Sequence, residues 1–254
     1  ALRMTGSTAS LGAKLRLLRR RGVPSGQVMI HRLQVSNPVL PGQELENAGD
    51  IILGYGGGRV RVEKMGIKMA NGQLSVQGFV EPEEDDGRVN LRVEGAFPME
   101  VLQALDPGFS LARGRIALQG LARGQLYDNP SIQVKVQPEP GTTIIHSTYP
   151  RPLTILSGQI EADQKKASVQ DLRIKSGSGE LRLDGFVTLE DLAPQAAEVN
   201  LSMNAFRYRF GKNFLEINSD LKASGPLIGA KINGNVHLVR GKIEEKVDLT
   251  TLVL

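Results

Sequence analysis

The sequence predicts an all-β, antiparallel and strongly curved fold, and three observations predict it. From about residue 72 onward apolar residues recur at every second position, the period of a strand with one oily and one wet face. Turn signals follow one another closely, among them Asp86-Gly87, Asn129-Pro130, Gly177-Ser178-Gly179, Ser224-Gly225-Pro226 and Asn233-Gly234, so neighbouring strands pair as meanders. Glycine, with 29 of 254 residues, is well above the usual ~7%.

Taken in order, Leu11 to Arg21 predicts a short basic helix with Leu15, Leu17 and Leu18 apolar, stopped by Gly22 and Pro24. Gln27 to Val35 and Ile51 to Met69 predict strands, with Val60 and Val62 opposite Arg59, Arg61 and Glu63. Gly54-Tyr55-Gly56-Gly57-Gly58 lacks the Gly-Lys-Ser/Thr that a phosphate loop needs and reads as a turn between strands. Leu74, Val76 and Val80 continue the alternation, and the acidic run Glu81 to Gly87 reads as a solvated hairpin tip. Val89, Leu91 and Val93 alternate with Arg88, Asn90, Arg92 and Glu94. Met99 to Leu105, ended by Asp106-Pro107-Gly108, predicts two helical turns. Strands follow on Ile116 and Leu118 and on Ile132, Val134 and Val136, and the proline-rich stretch Gln137 to Pro152 reads as a loop. The last third alternates again, through Leu181, Leu183, Val187 and Leu189, then Val199, Leu201 and Met203, then Leu221, Leu227, Val236 and Leu238.

A short unit, G-x-Φ-x-Φ-x-G with Φ apolar, recurs within this pattern. Gly72 to Val80 and Gly179 to Val187 share Gly, Leu, Gly, Phe and Val at equal spacing; Gly114 to Gly120 is a third copy, and Gly87 to Gly95 a lengthened one. Both glycines have the parity of the apolar residues. They therefore lie on the oily face, where a missing side chain lets the sheet curl or a second backbone approach. Unequal offsets between copies argue against a strict solenoid.

Composition excludes much chemistry. Cysteine is absent, which removes disulfides, thiolate metal sites and thiol nucleophiles. His31, His146 and His237 are scattered without metal-ligand or base–nucleophile spacing, and Glu83, Glu84, Asp85 and Asp86 lack the spacing of a calcium loop. No G-x-S-x-G elbow occurs. The expectation is a chain that is not an enzyme and has no cofactor or metal. With 31 Lys+Arg against 27 Asp+Glu, the chain is mildly basic. Lys14, Arg16, Arg19, Arg20 and Arg21 form its main basic cluster; without aromatics around it to stack bases, no nucleic-acid partner is expected. No apolar run approaches the ~18 residues of a membrane helix. The chain opens without Met and stops in an apolar pattern at Thr251 to Leu254, so a segment of a longer protein is expected, with any anchor outside it.

The oily face itself remains, either the core of a closed sandwich or barrel or the lining of an open trough. From Asp86-Gly87 through Val136 the order is strand, Gly, short hydrophobic stretch, Gly, strand, a Gly-x-hydrophobic-x-x-x-Pro turn at Gly124 to Pro130, and strand. Gly179 to Leu189 and Leu221 to Ile243 repeat it, with Gly225 to Ala230 in place of the proline turn, and Ile51 to Gly78 matches the preceding strand pairs. This order resembles the recurring unit of the TamB family, in the AsmA-like group of repeating β-groove proteins. The resemblance covers most of residues 27–245 and is least over 1–26.

The resemblance implies an elongated, highly curved antiparallel β-groove, a β-taco with one or two short helices, spanning 1–254 as one segment. It also implies a periplasmic location as part of a protein anchored in the inner membrane, phospholipid movement toward the outer membrane, and an Omp85-type outer-membrane partner. Moving a two-chain phospholipid through water exposes on the order of 30 methylenes at ~0.8 kcal/mol each, roughly 24 kcal/mol, so a conduit must be apolar without interruption. Its expected lining is Leu74, Val76, Val80, Val89, Leu91, Val93, Ile116, Leu118, Ile132, Val134, Val136, Leu181, Leu183, Val187, Leu189, Val199, Leu201, Leu221, Leu227, Val236 and Leu238, meeting acyl chains. The alternatives are a periplasmic scaffold that pairs strand edges with unfolded outer-membrane protein, and a closed β-domain binding a small ligand.

Overall fold

Period-two patterning becomes sheet almost throughout the computed structural model, which describes residues 8–20, 23–36, 44–69, 72–82, 86–100, 102–103, 106–190, 193–210 and 213–243. β1 (Thr8–Arg20) pairs along its whole length with β2 (Val23–Ser36). β3 (Leu45–Asn47) and β4 (Ile51–Gly56) lie end to end against β2; β5 (Arg59–Lys64) pairs with β4, and β6 (Gly66–Met69) with β3. β7 (Gly72–Glu81) pairs with both β5 and β6, and β8 (Arg88–Pro98) with β7. β9 (Phe109–Arg113) runs across Gly114 into β10 (Arg115–Gly124), which pairs with β8. β11 (Ser131–Pro138) and β12 (Thr143–His146) pair with β10 and β9, and both with β13 (Tyr149–Asp163). A simple meander completes the sheet: β14 (Lys166–Ser176), β15 (Gly179–Glu190), β16 (Ala193–Phe210), β17 (Asn213–Pro226) and β18 (Lys231–Lys242).

Among the described residues every pair is antiparallel and all eighteen strands share one sheet. Four pairs of strands lie end to end, so the sheet stacks as fourteen rungs. At ~4.8 Å per rung the stack is about 62 Å long, shorter than the ~82 Å that eighteen separate rungs would give.

Two sequence expectations are corrected, and a third falls partly outside the described residues. Leu11 to Arg20 lies in strand β1 and not in a helix, Arg21 falling outside the described residues: Leu11, Ala13, Leu15 and Leu17 also alternate at period two, and β2 supplies a full-length partner. Gln137 to Pro152 is not a loop but carries the end of β11, all of β12 and the start of β13. Its Pro150 and Pro152 are tolerated because that part of β13 is paired with β12 alone, leaving an edge on which no N–H is required. In the Met99 to Leu105 stretch, the described residues form a helical turn at Leu102 and Gln103, with Asp106 N–H donating to Leu102 O. The glycine-rich run is the turn expected of it, Gly57 and Gly58 joining β4 to β5. In the acidic tip, Glu83, Glu84 and Asp85 lie outside the described residues.

A crease crosses the sheet. Strands break at 48–50, at Met65, at Gly114 and at 139–142, and others bulge at His31, at Leu156 and Gly158, at Gln170–Asp171, at Asn204–Ala205 and at Val239. Each bulge adds a residue to one strand and bends it. Three bulges are stapled by an amide or carboxylate of the following strand. Asn47 Oδ1 accepts from Leu33 N–H (2.8 Å) while its Nδ2 donates to His31 O; Asp184 Oδ1 accepts from Asp171 N–H (2.7 Å); Asn218 Oδ1 accepts from Ala205 N–H (2.7 Å). Asp171 (φ 43°) and Ala205 (φ 46°) sit in the left-handed region that the extra residue demands.

Repeat glycines tighten the bend. Gly78 (φ 129°) and Gly185 (φ 154°), the second glycines of the two best-matched copies, lie so close to the next strand that a Cβ would overlap the carbonyl oxygens of Asn90 and Glu198. Gly120 in the third copy has room, its nearest neighbour being Val93 Cβ at 3.6 Å.

Bending has not closed the sheet over a core. Among the described residues the buried apolar side chains are Ile51, Met69, Val89, Met99, Ala112, Ile155 and Phe206, far fewer than a sandwich of this length encloses. At one side the wall is tied across the shorter β14–β15 hairpin by Tyr149. Its hydroxyl donates to Arg207 O (2.6 Å) and so accepts from Ser176 Oγ (2.9 Å), and its ring leans on Phe206 at 5.6 Å.

Two predictions test this architecture. Small-angle scattering should give a radius of gyration clearly above the ~18 Å of a compact chain this long; the compact value would contradict an open stack. Ala205→Gly should stabilise by about 0.5–1 kcal/mol, since a non-glycine residue pays ~1–2 kcal/mol in the left-handed region and glycine returns only part of it as entropy. Asn218→Ala should destabilise by about 1–3 kcal/mol by orphaning the Ala205 N–H. Chemical denaturation reads both, and equal midpoints for the three proteins would refute the stapled bulge.

Candidate functional site: an apolar groove

Register turns separate apolar positions into continuous rows. One runs Leu74, Gly95, Leu118, Val136, Ile160, Val169, Gly185, Val199, Ala223 and Ile232, each directly paired with the next, across ten rungs from β7 to β18. Beside it run Val76, Val93, Gly120, Val134, Ala162, Ala167, Val187, Ala197 and Gly225. Leu172, Leu183, Leu201 and Leu221 form a third row, and Leu15, Val28, Leu53 and Val62 carry the same face toward the N-terminus. The opposite face of the same rungs reads Ser75, Glu94, Gln119, Lys135, Glu161 and Ser168.

The expected lining residues are brought together on this face with one exception. Leu227 lies in the turn after β17, outside any strand, and is 47% exposed. Val89 is buried; Ile132, Val236 and Leu238 are exposed; Leu74, Val76, Val80, Leu91, Val93, Ile116, Leu118, Val134, Val136, Leu181, Leu183, Val187, Leu189, Val199, Leu201 and Leu221 are half-buried. Half-burial of most of these side chains is the mark of a face shaded by its own curvature and covered by no other element of the described residues. The sequence reading missed Ile155, Leu172, Ile174, Phe206 and Ile217, which join the face beyond the bulges. There the extra residue switches parity, from Val169 to Leu172 and from Met203 to Phe206. The only signal was a skipped beat in the alternation, at Gln170-Asp171 and at Asn204-Ala205.

Outside, charge holds the walls. Glu81, nearly buried, is clasped by Arg59, which also lies over the Phe79 ring at 4.3 Å, and by Arg88 at 3.9 Å. Glu216 joins three strands, receiving Arg207 of β16 at 2.8 Å and Arg240 of β18 at 2.9 Å. The hydrogen bond from Arg207, then that from Arg240, holds the Glu216 carboxyl below the usual carboxylate range. A cleft of about 620 Å³ opens on this polar face. Lys14 and Arg16 project from β1 and are exposed.

The histidines act locally. His146 Nε2 lies 3.3 Å from Asp106 Oδ2, and its Nδ1 takes both the Thr148 hydroxyl (2.7 Å) and the Thr148 N–H (3.2 Å), which staples the β12–β13 turn to the 106–108 loop. His31 Nδ1 meets Asp50 Oδ1 at 3.0 Å. Among the described residues no group of three or more His, Asp or Glu is placed to hold a metal ion, and no helix is long and apolar enough to cross a membrane.

An antiparallel sheet bent along a crease, with an apolar face that no other described element covers over ten rungs, defines an open β-groove. Residues 170–253 match the family model described as the TamB C-terminal domain, so this part of the chain is similar to that domain. No curated protein and no solved structure matches the chain.

A carboxylate whose proton affinity is lowered by folding stabilises the fold above its ordinary value of 4.5, and that contribution disappears as pH falls through the lowered value. Thermal melts should therefore lose stability below about pH 4.5, and Glu216→Gln should flatten that loss while lowering the melting temperature at pH 7. A variant whose acid limb matches the parent would show that the Arg207–Glu216–Arg240 clasp contributes nothing.

Proposed function

We propose that this chain is a segment of a periplasmic groove that conducts phospholipid acyl chains between the inner and outer membranes, as part of a protein anchored in the inner membrane. The observation that carries the reading is the pair of apolar rows crossing nine and ten rungs without a charged or polar side chain. Ten rungs span about 43 Å, longer than an extended acyl chain, so a lipid can advance rung by rung without its tails meeting water. Leucine, valine, isoleucine and alanine attract methylenes by dispersion and burial but offer no oriented group to hold one position. An acyl chain therefore binds everywhere along the wall about equally, which is what a conduit needs and a storage site does not. This chain's own chemistry requires no cofactor for that role.

A second reading is favoured by a specific feature. β18 is exposed along its whole length, with Ile232, Val236 and Leu238 at 69%, 61% and 56%, and among the described strands it has a partner on one side only. Such an edge suits strand addition to an Omp85-type outer-membrane protein or to its unfolded substrate. Edge pairing and tail conduction use different surfaces, so both can belong to one assembly role.

Leu183 tests the conduit. It pairs with Leu172 and Leu201 on the groove face and is half-buried. Leu183→Asp in an open groove should cost modest stability, near 1–2 kcal/mol, and leave the chain folded while abolishing lipid recovered by native mass spectrometry and crosslinking. Arg182 is unsuitable as the outer-face control because it is 3.1 Å from Asp171 and 3.2 Å from Asp184, and a third carboxylate there would repel both. Gln77, exposed and opposite Arg92, is suitable, and Gln77→Asp should be silent. A folded Leu183→Asp protein that keeps its lipid refutes the conduit.

A further inference from the structure

The cleft on the polar face lies on the wrong side of the sheet to hold acyl chains, and its charges are unevenly committed. It runs from the middle of β8, β10, β11 and β13 to the rim formed by the β10–β11 and β13–β14 turns. Four cations line it, Arg92, Arg123, Lys135 and Lys166, against two carboxylates, Glu161 and Asp163. Both carboxylates are already engaged. Glu161 lies 3.6 Å from Lys135 Nζ and accepts from neighbouring glutamine amides, while Asp163 Oδ1 accepts the backbone N–H groups of Lys165 (2.7 Å) and Lys166 (2.8 Å) and so holds the turn. Arg92 is paired with Glu94 beside it. Arg123 and Lys166 are left with no ion pair among the described residues, Lys166 resting on the Phe186 ring at 4.1 Å. Two unmatched cations therefore face a cleft of about 620 Å³, small-molecule in size.

We propose that this cleft is a binding site for a phosphate-class oxyanion, with Arg123 as the bidentate guanidinium fork and Lys166 as the second charge. A guanidinium matches two phosphate oxygens at once, and an ammonium held over an aromatic ring supplies a point charge with its remaining donors free. Even with Glu94 counted beside Arg92, four cations stand against three carboxylates, so the cleft keeps a net positive charge for an incoming anion. If the groove conducts phospholipid, the rim between Arg123 and Lys166 is where a headgroup turning over the wall meets the polar face; the anion site itself stands on the cleft and does not need that reading.

The probes are inorganic phosphate and glycerophosphoglycerol, a headgroup without acyl chains, titrated into the full chain by calorimetry. Arg123→Gln/Lys166→Gln should weaken binding at least tenfold, with circular dichroism unchanged because both side chains project from the polar face, and Arg123→Lys should restore only part of it. Saturable binding of glycerophosphoglycerol in preference to phosphate identifies a lipid headgroup as the source of the anion, and equal binding identifies free phosphate; either supports the site. Binding of neither probe, or equal binding by parent and double variant, overturns it. Leu183→Asp should leave both titrations unchanged, so a failed conduit and a failed anion site give different results.

Discussion

An apolar face without a second layer is the constraint on which the rest of this structure depends. A sheet ordinarily hides its oily side against helices or another sheet, and the gain from that burial is the main term that stabilises the fold. Here the rows from Leu74 to Ile232 and from Val76 to Gly225 are covered by no other element of the described residues, and the stability of that part must come from within the sheet. It comes from ladder hydrogen bonds over fourteen rungs, from cross-strand pairs such as Leu183 with Leu172 and Leu201, and from the partial shading that curvature provides. A flat sheet with this face would aggregate. Bending it shades each side chain with its neighbours yet leaves the trough open.

Curvature in turn rests on local chemistry on both faces. Bulges at His31, Asp171 and Ala205 supply the bend, and Asn47, Asp184 and Asn218 occupy the amide groups that the bulges free. Glycines admit a neighbouring backbone where the bend is tightest. On the outside, Glu81 and Glu216 join strands through arginines, and Tyr149 ties β13 to β16. The polar face is thus the structural side of the wall, and on the proposed function the apolar face is the working one.

Much of this was legible in the sequence because the period of a strand is two and survives without any knowledge of partners. Leu181 and Leu183, or Val89, Leu91 and Val93, announce both strand and face. Illegible parts have physical causes. A bulge inserts one residue and switches parity, so Val169 and Leu172 line one groove although their spacing sets them on opposite faces of a regular strand. Leu15, Leu17 and Leu18 fit a helix as well as a strand, and only the long partner β2 decides between them. Prolines at 138, 140, 150 and 152 signalled a loop, because nothing local reveals that the start of β13 has an unpaired side. The cleft between Arg123 and Lys166 joins residues from separate hairpins and left no sequence motif.

The central claim is that the apolar face is open and admits acyl chains, and nitroxide scanning tests it most directly, since a chain without cysteine accepts single labels cleanly. Labels at Leu91, Val136 and Leu201 on the groove face and at Gln77 on the outer face would be measured with and without phospholipid carrying a spin label in its tail. The account predicts that without lipid the groove labels are mobile and reached by oxygen, and that with lipid they lose mobility and couple to the tail label while Gln77 does neither. Groove labels already immobile and shielded without lipid, and unchanged on adding it, would show a sealed core and contradict the account.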